Sequence, residues 1–521
     1  MPMDLDQHIR ELAARYRPLA EEFLKEAIRI PEDHVDREPE PDPSCGLSNH
    51  EGPRLEYLKR MLVEHRCVAK SDDAWFDDYG NLVWMVENHD DGVATADKTV
   101  VYFDGHSDTV QALRDQWRQK IGEGMDCYQG LVDPKRVDRE FIKRELGYVP
   151  PEDEWDNVIF GRGSADQLGG VIGQMIATKI MLELAGQGAL DGVIVRSYAT
   201  VTEEDNDGGG PMFLVRNVLP GAPPELIPDA VVLTEGTGDA HRGSIGIYRG
   251  QRGRMQIEVE VIGRSCHGSM PWEGLNPLEF GAPIIVEARA QYDAREGFLD
   301  HEFLSHGTRT ASFAELETPS DCAVPDSFTF RFDRRLTLNE DAEEARQAIE
   351  DLPAVAAARK AGLTVNVQVP RYDKPTWRGF VLDNEAVYPG WMTPPEHPAI
   401  ECAVDAYQRV VSPAIPEAES ARRETKPELG GGRSRTPRVD RWIFSTDGVG
   451  FLLPADDCPV EVPASKRWVT AGNLIHPPMF GFGPGVEQNT HKIGECVDAR
   501  ELESVCALLA RFPTLYAQSK G

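Results

Sequence analysis

The chain has 521 residues, 40% of them hydrophobic and 27% charged, with 55 Lys and Arg against 87 Asp and Glu for a formal net charge of −32. A field of that sign repels phosphate backbones and argues against a nucleic-acid partner, and the length exceeds what one simple core fills, so two domains are expected. No apolar run reaches membrane-span length, the start Met1-Pro-Met-Asp-Leu-Asp6 does not resemble a signal peptide, and the nine cysteines are scattered without a C-x-x-C pair; a cytoplasmic protein with reduced thiols, no membrane contact and no thiolate zinc site is expected.

Residues 5–30 carry Ile9, Leu12, Tyr16, Leu19, Phe23, Leu24 and Ala27 at helical spacing, with Pro18 placed to kink or divide the helix. An acidic, Pro-rich loop comes next over 31–53, then a helix over 55–65. Tyr79-Gly-Asn-Leu-Val-Trp-Met85 reads as turn then strand, and 100–103 as a central strand. Residues 111–157 hold many charges and no sheet signal, and read as a long surface insertion. A loop over 161–166 leads into a helix over 167–185 that Gly186 ends. Strands over 193–201 and 230–234 come after it, and strands alternating with helices imply a mainly parallel sheet covered on both faces.

The pattern then changes. Strands over 256–262, 310–317, 327–335 and 363–369 alternate with helices over 277–292 and 339–352. That order, β-α-β-β-α-β, is ferredoxin-like. The predicted fold class is therefore α/β: a mainly parallel sheet flanked by helices, built from 1–249 and 386–521, with a smaller unit inserted over 250–385. Residues 398–411 read as helix and 413–438 as a second, mobile insertion rich in Pro, Gly and charge. Segments 440–454 and 474–485 are expected to rejoin the first sheet, and 498–512 to close the chain as an amphipathic helix.

Val100-Val-Tyr-Phe-Asp-Gly-His-Ser-Asp-Thr-Val110 puts His106 at the end of a buried strand. Asp108, two residues on, can hold one ring nitrogen while the other binds a metal. Asp166 sits at the turn of Gly161-Arg-Gly-Ser-Ala-Asp-Gln-Leu-Gly-Gly170, where the ordinary task of an Asp is to cap the helix. Glu203 and Glu204 adjoin in Thr200-Val-Thr-Glu-Glu-Asp205. Neighbouring carboxylates repel unless cations lie near, and one can bind metal while the other takes a proton from water; the plainer reading is a solvated acidic loop. Glu235 stands after a strand in Leu233-Thr-Glu235, and His491 lies beyond Gly481-Phe-Gly-Pro-Gly485, with Glu487 and Glu495 beside it. Each position has a structural explanation alone. Jointly they fall at strand ends or turns, the edge where open α/β sheets bind ligands. A mixed imidazole and carboxylate set suits zinc, manganese or cobalt, and points to a two-metal hydrolase.

These segments resemble the M20 metallopeptidase and deacylase family, which includes carboxypeptidase-type peptidases, acetylornithine deacetylase and succinyl-diaminopimelate desuccinylase. The resemblance runs from about residue 55 to residue 512. Gly250-Gln-Arg-Gly-Arg-Met255, Ser265-Cys-His-Gly-Ser269, Phe444-Ser-Thr-Asp447 and Gly481-Phe-Gly-Pro-Gly485 are most similar to its branch of selenium-metabolism-linked hydrolases. The resemblance implies that His106 and Glu235 hold one divalent ion, Glu204 and His491 a second, and that Asp166 bridges them, with zinc the expected metal. It implies that Asp108 orients His106 and that Glu203 is the general base. It makes 250–385 a lid and dimerisation domain whose His267 reaches the partner subunit's site in a homodimer. The implied reaction is cleavage of a C–N amide bond in a small molecule: a dipeptide, an N-acyl or an N-carbamoyl amino acid. A deaminase acting on a ring substrate uses the same activated water, and a non-catalytic metal-binding homologue is the non-enzymatic alternative. Phosphoester cleavage is disfavoured by the charge and by the lack of an Arg or Lys cluster beside the ligand motifs.

Overall fold

The structure is a computed structural model that describes residues 4–32, 50–122, 126–128, 130, 137–146, 155–240, 242–243, 245–425 and 433–520. The strands Thr99–His106, Val193–Thr200 and Ala230–Gly238 are buried at every position. Continuous apolar runs behave this way in the middle of a sheet covered on both faces. With Met479–Val486 they form a parallel centre in the order 193–200, 99–106, 230–238, 479–486. His106 pairs with Thr200 and Asp104 with Leu233, so the carboxyl ends finish along one edge. A Cβ on Gly483 would run into the carbonyl of Thr234, and one on Gly481 into the ring of Trp442; glycine lets these strands approach.

The sheet edges are mixed. Leu82–Glu87 pairs antiparallel with Val193–Thr200 and carries Ala74–Phe76, a strand that the sequence pattern does not announce. Ile247–Gln251 pairs antiparallel with Met479–Val486 and with Trp391–Met392, and parallel with Val439–Trp442. Only parts of the two returning segments therefore rejoin this sheet. Leu453–Pro454 and Leu474–His476 instead build a separate three-stranded sheet with Val469–Ala471.

Gly169–Glu183 and Ala499–Gln518 pack on each other and on the central strands, and Leu5–Arg29 packs on both helices. Leu5–Arg29 runs unbroken through Pro18. Ala14, whose carbonyl loses its partner there, is exposed and can be hydrated. Gly52–Glu64 starts inside the expected loop and takes Pro53 in its first turn, where a missing N–H costs nothing. Gly188, at φ +91°, is the left-handed residue after Gly169–Glu183, not Gly186. The closing helix is buried almost all round from Ala499 to Tyr516, including Glu501 and Arg511. Its amphipathic pattern is overridden because neighbours pack on more than one of its faces.

The inserted unit has the predicted order. Its antiparallel sheet runs Thr308–Glu317, Ser327–Leu336, Gly253–Ile262, Thr364–Gln368, with Val387–Tyr388 added to Gly253–Ile262. Alternation on one face buries Met255, Ile257, Val259 and Val261 against Phe328, Phe330 and Phe332 in a core of their own. The helices are Pro277–Asp293, Ala342–Glu350 and Pro353–Lys360. The expected single helix over 339–352 thus starts later, behind the cap of Asp341, and a second helix begins at Pro353.

The insertion over 111–157 is more than surface chain. It holds the helices Arg114–Lys120 and Arg139–Leu146. Trp117, Ile121, Phe141, Ile142 and Trp155 form a satellite core with Ile493 and Cys496. Parts of it lie outside the described residues. In the second insertion, Glu417–Thr425 is helical and Arg433 pairs with Glu419 at 3.0 Å, while 426–432 lie outside the described residues. Among the described residues, no helix is long and apolar enough to cross a membrane.

Candidate metal centre

His106 ends its strand 1% exposed. Its Nε2 lies 3.0 Å from Asp166 Oδ1, 3.5 Å from Glu235 Oε2 and 3.8 Å from Glu203 Oε2. On the far side of Asp166, His491 Nε2 lies 3.1 Å from Asp166 Oδ2 and 3.0 Å from Glu204 Oε2. Asp166 therefore offers one oxygen to each imidazole. The structure brings together six of the eight residues singled out from sequence, from five separate stretches of chain. Ligand atoms of His106, Asp166 and Glu204 lie within 4.8 Å of one another.

Asp108 lies beside them and does more than its spacing suggests. The nearest acceptor for His106 Nδ1 is the Asp108 backbone carbonyl at 3.0 Å, with the carboxylate at 3.5 Å. The carboxylate also accepts the backbone N–H groups of Glu203 at 3.2 Å and Glu204 at 3.0 Å. It orders the turn that presents both glutamates. Thr202, just before them, has a left-handed φ of +63°, and its N–H donates to the buried Glu51 at 3.2 Å. Gln167 donates to Glu235 at 3.0 Å, and Val110 N–H to Glu204 at 3.2 Å. His267 stands apart. It is exposed on the short strand Cys266–His267, paired with Ala323–Val324, and is not part of this cavity wall. Ser269 N–H donates to its Nδ1 at 3.1 Å, which leaves Nε2 to carry the proton.

The electrostatics arise from crowding. Burial, and then the charges of Asp207 and Glu204, push the Glu203 carboxyl well above its ordinary range. Burial and the charge of Asp166 push Glu235 up to about 7. His106 is opposed by burial, yet its hydrogen bonds to Asp108, Asp166 and Glu235 carry it well above 6.5. The Glu204 charge does the same for His491. Asp166 resists burial and stays low because both imidazoles bond to it. Five carboxylates (Asp108, Asp166, Glu203, Glu204, Glu235) around two imidazoles make a cluster in which bound divalent cations would offset the crowding of negative charge. The donor set fits hard or borderline cations, with no cysteine among these residues.

The cluster opens into a cavity of about 390 Å³ whose far wall carries Arg254, Arg335, Phe444 and Ser445. Arg254 pairs with Asp207, and Arg335 grips Asp333 at 2.8 and 3.1 Å while donating to Ser445 at 3.2 Å. The sequence shows no Arg or Lys cluster beside the ligand motifs, and these two arginines lie about 80 residues apart in the chain on neighbouring strands. Arg254 is visible in the Gly250–Met255 motif, but nothing local gives it a role. Asp447, a member of the Phe444–Asp447 motif, accepts Thr200 Oγ1–H at 2.6 Å under the site.

Residues 249–360 match the family model described as a peptidase dimerisation domain, M20_dimer. The uncharacterised protein YgeY of Escherichia coli (strain K12) is 34% identical over 360 residues, 69% of this chain and 73% of its own length. Human carnosine dipeptidase 1 superposes with a TM-score of 0.61 at 14% identity, covering 99% of this chain and all of that one (100%). An M20 family metallo-carboxypeptidase from Sulfolobus solfataricus, Sso-CP2, superposes with a TM-score of 0.57 at 15% identity, covering 95% of this chain and 98% of that one.

Proposed function

We propose, since the chain belongs to the M20 metallopeptidase family and is a metal-dependent hydrolase, that it cleaves the C–N amide bond of a small carboxylate-bearing substrate: a dipeptide, an N-acyl or an N-carbamoyl amino acid. The observation that carries this reading is the placement of Asp166, with one oxygen 3.0 Å from His106 and the other 3.1 Å from His491. His106 and Glu235 would hold one divalent ion, Glu204 and His491 the other, and Asp166 both; zinc is proposed, with manganese or cobalt as substitutes. Bound there, the pair would supply a Lewis acid for the scissile carbonyl and lower the pKa of a water from about 15.7 towards about 7.

The remaining work belongs to the chain. Glu203 takes the proton of the attacking water and passes it to the leaving nitrogen, a task its raised proton affinity suits. Arg335, and Arg254 behind it, face the cavity from the inserted unit and take the substrate carboxylate. Residues 250–385 act as a lid and dimerisation domain between catalytic parts 1–249 and 386–521. In a homodimer, His267 of one subunit donates its Nε2–H to the oxyanion in the other; the Ser269 bond to Nδ1 supports that tautomer. Cysteines with free thiols, such as Cys67 and Cys506, support a reducing, cytoplasmic setting.

The test is purified protein loaded with Zn²⁺, Mn²⁺ or Co²⁺ and offered dipeptides, N-acyl and N-carbamoyl amino acids. Amine release that a chelator abolishes is the expected result. No hydrolysis with any metal across the panel, or release of ammonia from an amino-substituted ring instead, overturns the assignment.

A further inference from the structure

Glu495 is fully buried and has no part in the proposed chemistry. One of its carboxylate oxygens accepts the backbone N–H groups of Ala165 at 3.0 Å and Asp166 at 3.1 Å. The other accepts from the buried guanidinium of Arg162 at 2.5 Å. Two successive amides fixed on one oxygen set where Asp166 leaves the backbone, and so where its carboxylate lies between the histidines. Glu495 is also only four residues beyond His491 in the chain. One buried ion pair thus ties the shared aspartate to the second imidazole.

The two halves of the site are held differently. His106 ends a strand hydrogen-bonded on both sides, to Val193–Thr200 and Ala230–Gly238. His491 has a left-handed φ of +60° in a turn, and its side chain is 55% exposed. The residues just after His491 are anchored in the insertion. Lys492 donates to the Glu145 carbonyl at 2.7 Å, and Ile493 and Cys496 sit in the satellite core with Trp117, Phe141 and Trp155. Cys496–Asp498 pairs with Val158–Phe160, and the Gly161 N–H donates to the Glu495 carbonyl at 3.0 Å.

We infer that Arg162 and Glu495 are a positioning pair which, seated on the satellite core of the insertion, chiefly sets the cation affinity of the His491–Glu204 half of the site, while the His106–Glu235 half depends on it less, through the shared Asp166 alone. This role rests on the two-cation reading of the site. Partners that orient metal ligands typically contribute about 10- to 100-fold in affinity.

The experiment is calorimetric titration of the metal-free full chain with Mn²⁺ and with Zn²⁺, with bound metal counted by mass spectrometry. The wild type is expected to take two ions per chain. Glu495→Gln keeps an acceptor for the two amides and removes the charge; its second ion is expected to bind about 10- to 100-fold more weakly, and the first, held by the strand-borne His106, to weaken clearly less. An unpaired buried Arg162 can itself unfold the chain. Two further variants cover that case: Arg162→Met with Glu495→Gln, which removes both charges, and Ile493→Ala, which loosens the seat and touches neither. Ile493→Ala is expected to show the same selective loss of the second ion. Folded variants that bind both ions as the wild type does, or that lose both equally, overturn the inference alone. A wild type that binds fewer than two ions overturns the two-cation reading and this inference with it.

Discussion

Replacing Glu203 by Gln keeps the shape of the side chain and removes the proposed base. The residue is 7% exposed, and burial is the first reason its carboxyl holds a proton more tightly than usual, with Asp207 and Glu204 adding to it. A carboxylate whose proton affinity is raised above the ordinary range is better suited to taking and then returning a proton. General-base catalysis of this kind contributes about 10²- to 10⁴-fold, or roughly 3–5 kcal/mol of barrier. The cost to metal binding should be small, because Glu203 Oε2 stands 3.8 Å from His106 Nε2 whereas Asp166 Oδ1 stands at 3.0 Å. His106, Asp166 and Glu204 remain as grouped without it. The assay is steady-state hydrolysis of the best substrate from the panel, with bound metal counted in the same preparation. The expected result is kcat lower by about 10²- to 10⁴-fold, KM changed little and two ions retained. Activity within tenfold of wild type at full metal loading would refute the role, and loss of metal in step with activity would make Glu203 a ligand instead.

Removing the cavity-facing cation by Arg335→Ala is expected to raise KM for carboxylate-bearing substrates by about 10- to 100-fold, the worth of one charged hydrogen bond, and to spare an amide whose carboxylate is blocked; equal losses for both would move the carboxylate elsewhere. Mixing inactive Glu203→Gln chains with inactive His267→Ala chains is expected to restore part of the activity in hybrid dimers, and no recovery after confirmed subunit exchange would contradict action across the interface. Burial holds His476 down from 6.5 to about 4, with Nδ1 donating to the Pro477 carbonyl at 2.7 Å. Between those values the unfolded chain binds a proton that the folded chain does not, so stability is full above pH 6.5 and falls as pH drops towards 4, by roughly 3 kcal/mol at 1.36 kcal/mol per pH unit. Urea unfolding of metal-free protein at pH 7 and pH 4.5 should show this loss, and His476→Phe should reduce it; an unchanged pH slope in the variant would rule out His476 as its source.

Much of this molecule is legible in its residues alone. His106, Glu203, Glu204 and Glu235 can be found because each stands at or just beyond the end of an apolar run, and a buried strand announces itself locally. The alternation of Phe328, Phe330 and Phe332 makes the inserted sheet equally plain. Where the sequence stops short, the cause is contact between distant parts of the chain. Asp108 holds the Glu203–Glu204 turn as well as facing the imidazole, because the fold brings that turn against its carboxylate. Arg254 and Arg335 share a cavity wall only through the pairing of two strands. Trp117, Phe141 and Trp155 lie too far apart for any periodicity, yet they close on Ile493, two residues after His491. Local patterns in the chain name the chemical groups and the element that carries each; only the packed tertiary structure decides which of them share a hydrogen bond, because those distances depend on every element lying between.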